Sequence, residues 1–156
     1  MKLALMLILV CALSHAAERL TPELEPASEV ELIPALKATK DFRALAPLMR
    51  RGLLCDQTSY RQYAAEWFIQ HGTFEDVSYL IDALSDDTAS TGANYPVAGM
   101  NTTRYWANVA LIVICKTSFD YRHDASDKDR EDAIMLWTQH WKMMKERAER
   151  KKASGR

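Results

Sequence analysis

Apolar residues open the chain in one block and afterwards return at intervals of three and four. From Leu3 to Leu13 every position is apolar, with Lys2 before the block and Ser14-His15-Ala16 after it. A charged start, an apolar run of about 7–15 residues and small residues one and three places before the cut are what a signal peptidase reads. The expected cut falls between Ala16 and Ala17, so residues 1–16 read as a signal peptide and the protein as secreted or periplasmic. Crossing a bilayer takes roughly 20 apolar residues, and Glu18 and Arg19 arrive too early for that. Residues 17–28 hold Pro22, Pro26 and several glutamates, which predicts an extended leader outside the core.

From Glu29 the spacing is helical. Leu32, Ile33 and Leu36, then Phe42, Leu45, Leu48 and Met49, predict two short helices with a break near Thr39, closed by Arg50-Arg51-Gly52. Pro34 suits a first turn, and Pro47 must open or kink the second helix because it lacks a backbone donor. Tyr60, Tyr63, Ala64, Trp67 and Phe68 mark a helix ended by His71-Gly72. Phe74, Val77, Leu80, Ile81 and Leu84 mark its partner. A polar loop from Asp86 to Gly99 leads to Asn101 or Thr102 as the cap of a mostly apolar helix through Cys115. Ser126 or Asp127 opens a last helix bearing Ile134, Trp137, Trp141 and Met144, with Ser126 and Asp129 placed as a capping box.

Arg61-Gln62-Tyr63-Ala64-Ala65 matches Arg104-Tyr105-Trp106-Ala107-Asn108 at a separation of 43 residues. Periods of about 40–47 residues belong to helical-hairpin solenoids, in which one hairpin cannot bury both faces and neighbours stack. The expected fold is all-α: a short right-handed α-solenoid of about three stacked helical hairpins over residues 29–148, with a basic tail at 149–156.

The helix from Tyr60 to Gly72 followed by Asp76-Val77-Ser78-Tyr79-Leu80-Ile81-Asp82-Ala83-Leu84 resembles the hairpin of bacterial HEAT-repeat, armadillo-like proteins. Ala107 to Thr117, Phe119-Asp120-Tyr121, an acidic loop, and Ala133-Ile134 leading to Trp137 and Trp141 resemble the closing segment of exported members of that family. The resemblance covers roughly residues 29 to 145. The long loop at 86–99, His140 in place of a further tryptophan, and the lack of a glycine after the helix ending at Cys115 depart from the pattern. The resemblance implies a binding scaffold, with no shared catalytic residues to carry over.

Charge adds one asymmetry. The chain has 20 Lys+Arg against 21 Asp+Glu, and losing Lys2 with the signal leaves a net charge of −2. That balance offers no general field for nucleic acid. Lys142, Lys145, Arg147, Arg150, Lys151, Lys152 and Arg156 face only Glu146 and Glu149, a local +5, leaving −7 elsewhere. These cations complement a helix C-terminus, and they also offer contact to an acidic partner or to lipid headgroups at a membrane. Cys11 leaves with the signal, and Val10 before it does not suit lipidation. Cys55 and Cys115 stay, as a pair or as two separate thiols.

No metal-protease histidine pair, CxxC, phosphate loop or nucleophile elbow occurs, so no cofactor and no catalytic residue is expected. Asp120, His123, Asp124, Asp127 and Asp129 gather five donors in ten residues. They read as a loop feeding an N-cap. The alternative function is a calcium- or zinc-dependent binder or hydrolase using that loop. For partner binding, the expected residues are Tyr95 and Pro96 in the long loop with Tyr105, Trp106 and Tyr121. Aromatic side chains bury large area at small entropic cost. The expected partner is another exported protein or peptide, held without catalysis.

Overall fold

In the computed structural model, which describes residues 20–39, 41–89 and 99–155, hydrogen-bonded helix is the only regular structure beyond one isolated bridge. The helices are α1 (Glu29–Ala38), α2 (Ala46–Gly52), α3 (Thr58–His71), α4 (Val77–Ala83), α5 (Thr103–Cys115) and α6 (Asp127–Ala153). Single 3-10 turns, Phe42–Leu45 and Phe74–Asp76, lead into α2 and α4. The apolar block from Leu3 to Leu13, the cut after Ala16, Tyr95, Pro96 and most of the 86–99 loop lie outside the described residues. The ends of that loop meet where Ala89 and Thr102 form the bridge, in antiparallel sense.

Local chemistry sets most boundaries. The Ser28 backbone N–H donates to the Glu31 carboxylate at 2.9 Å, part of a capping box at the start of α1. Pro34 falls inside α1 and not in its first turn. A helix of 10 residues tolerates the missing donor at the expense of one internal hydrogen bond. Pro47 stands in the first turn of α2 and opens it. Ser126 caps α6, its hydroxyl accepting from the Asp129 N–H at 3.2 Å. Helix α6 continues unbroken to Ala153 and contains most of the basic tail.

The core joins α2, α3, α4 and α5 through Met49, Ala64, Phe68, Val77, Leu80, Ala107, Ala110 and Leu111, all buried. Helix α5 is the centre, packed along α3 and across α4, while α6 packs on α4. The two helices carrying the 43-residue match run in the same direction. At one end Arg61 and Thr103 both reach Asp86. At the other, a Cβ on Gly72 would lie 2.6 Å from Ile114 Cδ1.

Gly72 ends α3 as expected, but its φ of −68° is open to any residue. Glycine is required there by close approach, since an added Cβ would also sit 2.5 Å from the Phe68 carbonyl oxygen. Gly72→Ala is therefore expected to destabilise the fold by about 1–3 kcal/mol, measured by urea unfolding, as in an overpacked core. The left-handed residue sits elsewhere: Lys116, with φ 56°, caps α5 where a glycine is usual.

Candidate functional site

Residues 20–27 form no helix or strand, yet they are part of the structure. Ala27 is buried, and its N–H donates to the Arg51 carbonyl at 3.1 Å. Arg51 in turn donates from Nε to the Glu25 carbonyl at 2.9 Å and ion-pairs with Glu31 at 3.0 Å. Further out, the Thr21 hydroxyl donates to Asp82 Oδ2 at 2.6 Å and the Leu20 N–H to Oδ1 at 3.4 Å. Residues 20–27 thus form a strap over the ends of α2 and α4.

Between the strap and the helices is a cleft of about 280 Å³, with Thr21, Pro22 and Leu24 on one wall and Leu53, Leu54 and Ala83 opposite. Its polar groups are Arg50, Arg61, Tyr79, Asp82 and Asp86. Arg50 donates from Nε to Asp76 Oδ1 at 2.8 Å, and its guanidinium lies over the Tyr79 ring, 5.2 Å from the centroid. Arg61 donates to Asp86 at 2.6 Å, to the Cys55 carbonyl at 2.5 Å and to the Thr58 hydroxyl at 3.1 Å. The arginines are thus held by fixed acids and carbonyls. The cleft offers an apolar floor with a rigid polar rim, which suits a short extended chain.

Asp86 joins this cleft to the helix stack. Burial pushes its carboxyl up, but hydrogen bonds from the Thr88 side chain and N–H, the nearby Thr103 hydroxyl and the Arg61 charge outweigh burial and hold it below the ordinary carboxylate range. A lowered folded value means stability that is present above the ordinary carboxylate pKa and lost as pH falls through the folded one. Asp86→Asn is expected to cost about 2 kcal/mol at neutral pH, the scale of a charged hydrogen bond. In urea unfolding followed across pH, the gap from the parent should close below about pH 4.

A second, more open cleft of about 330 Å³ brings together Tyr105 and Tyr121, two of the expected partner-binding residues, with Asn108, Arg122, His123 and Asp124. Tyr121 is buried and its hydroxyl donates to the Leu84 carbonyl at 2.8 Å. It therefore serves the cleft as a wall and presents no free hydroxyl. Burial pushes its phenol up to about 12, opposed by the charges of Arg104 and Arg130. Trp106 is half-buried, packed on the core and edge-on to Tyr105 at 5.1 Å. His123 meets Tyr105 edge-on at 5.3 Å and covers Gly99, whose φ is +83°. Tyr95 and Pro96 lie outside the described residues.

The acidic loop does not converge. Asp124 pairs with Arg122 at 3.0 Å, Asp129 is engaged with the Ser126 cap, and Asp127 pairs with Arg130. Among the described residues no three His, Cys, Asp or Glu side chains are grouped to hold a metal ion. Cys55 and Cys115 are separate thiols, Cys55 in the core. Burial pushes Cys115 up to about 11, which suppresses its nucleophilic thiolate.

Sequence reasoning passed over the strap cleft. Thr21 and Asp82 are ordinary polar residues 61 positions apart, and neither carries a local pattern. The prolines of the strap were the one available signal, since they favour extended chain. No protein-family model, no curated protein and no solved structure matches the chain.

Proposed function

We propose that the protein is an exported, non-catalytic scaffold that binds an extended segment of another exported protein in the strap-lined cleft. On this reading α3 with α4 and α5 with α6 are successive units of a short right-handed α-solenoid of HEAT or armadillo type. The parallel run of α3 and α5 at the 43-residue repeat supports it. Stacked helical hairpins build extended binding surfaces as a matter of geometry.

One observation carries the proposal. The helical surface already holds an extended segment, residues 20–27, through main-chain hydrogen bonds from Arg51 and to Asp82 and Arg51, and leaves an apolar cleft beside it. A second extended chain laid along the strap would meet Leu54, which is 42% exposed, and Tyr79. A photo-crosslinking residue at Leu54, at Tyr105 or at exposed Val30, followed by mass spectrometry on the exported fraction, tests this. Adducts at Leu54 to one defined peptide, with none at Val30, support the strap cleft. Adducts at Tyr105 alone move the site to the second cleft, and labelling equal at all three positions refutes a specific scaffold.

A further inference from the structure

Helix α6 is 27 residues long, about 40 Å, and its last buried side chain is Trp137. Residues 142–155 are all exposed, so nearly half the helix runs clear of the body. Helices in proteins gain most of their stability from packing an amphipathic face, and this stretch has a face without a cover. At 100° per residue, Leu136, His140, Met143, Met144, Trp137 and Trp141 share a sector roughly 160° wide. Trp137 fills the core end of that sector. Leu136 (42% exposed), Met143 (49%) and Met144 (37%) remain open to water.

We propose that the outer part of α6 binds an anionic lipid surface, its methionines entering the headgroup boundary and its cations meeting the lipid phosphates. This is independent of the scaffold reading. The charge favours this occupant. Lys145, Arg150 and Lys152 border the apolar sector and Arg147 and Lys151 continue its face beyond Met144, while Glu146 and Glu149 lie on the far side with Lys142, so most of the cations share the side of the methionines. A layer of anionic headgroups takes both on one face, the methionines at the acyl boundary and the cations at the phosphates. A second copy of the chain would bring two stretches of net +5 together. An amphipathic helix with Lys and Arg beside a Trp- and Met-bearing face lies in the interface, and basic residues next to anionic lipid add attraction one by one. No helix among the described residues is long and apolar enough to cross a membrane, so the contact lies on the surface.

Flotation of the full chain with vesicles tests this, comparing phosphatidylcholine alone with a mixture of phosphatidylglycerol and phosphatidylcholine. Lys2 and the apolar block at Leu3–Leu13 are the same in the parent and in every variant, so the difference between them reads α6. Binding to the anionic vesicles is expected to be stronger by about tenfold or more and to fall in high salt. Replacing Lys142, Lys145, Arg147 and Lys151 with Gln should remove that preference, and Met143→Asp with Met144→Asp should weaken anionic binding about tenfold. These side chains are exposed, and an unchanged melting temperature confirms that the variants fold. Equal binding to both vesicles, or full retention by either variant, overturns the proposal. Failure to bind vesicles together with capture of a poly-glutamate peptide also overturns it and assigns the face to an acidic protein.

Discussion

Asp76→Ala is expected to destabilise the protein by about 3–5 kcal/mol, the loss seen when one partner of a buried ion pair is removed. Asp76 has no exposed surface, and its two oxygens serve different elements. Oδ1 takes the Arg50 guanidinium of α2, at 2.7 Å from its terminal nitrogen. Oδ2 takes the Thr73 N–H at 2.7 Å and the Thr73 hydroxyl at 3.0 Å, which caps the turn leading into α4. Deletion leaves Arg50 with exposed Glu75 at 3.8 Å as a weak substitute and uncaps that turn. Asp76→Asn keeps an acceptor for Thr73 and should cost less. Arg50→Met should cost a different share, and the double variant should be less destabilised than the two singles added together, because they share one interaction. Urea unfolding of the parent and the four variants measures each quantity. Strict additivity would show that Asp76 acts through the Thr73 cap alone.

Trp137→Ala should cost about 3–5 kcal/mol as well, by emptying a fully buried indole site. Its ring meets Phe119 edge-on at 4.8 Å and has no exposed surface. The second effect is on length. Trp137 is the last fully buried residue of α6, with only half-buried Trp141 packed on the core beyond it, so the exposed stretch should lose helix when the anchor goes. Far-ultraviolet circular dichroism below the unfolding transition should then show a fall in helix content larger than one residue can account for. The indole N–H has no hydrogen-bond partner, so Trp137→Phe keeps the aromatic packing with no hydrogen bond lost and should be much milder. A Trp137→Ala protein that keeps its full helix signal would mean that the outer half of α6 stands without an anchor.

The helices were legible because their signals are local. Apolar spacing placed α3, α5 and α6, Ser126 and Thr102 marked two starts, and Pro47 marked a third. Less of the site could be read. Tyr105 and Tyr121 share a cleft, but burial of the Tyr121 hydroxyl depends on Leu84, 37 residues earlier in the chain. The Asp120–Asp129 group reads in sequence as a loop feeding an N-cap, with a metal site as the alternative because its donors are close along the chain. Asp124, Asp127 and Asp129 take their partners from the nearest cation or cap, and proximity along the chain did not bring the carboxylates to one point.

By itself the sequence determined which stretches are helical, where three of them begin, and that two of them repeat at 43 residues. Those properties follow from backbone propensity, side-chain period and capping, all acting within a few residues. Only the tertiary structure decided that α5 lies between α3 and α4, that Gly72 is required by Ile114 and not by its backbone angle, and that the strap closes one wall of a cleft through Thr21 and Asp82. Those facts depend on close approach and hydrogen bonding between residues tens of positions apart, which leave no periodic trace in the chain.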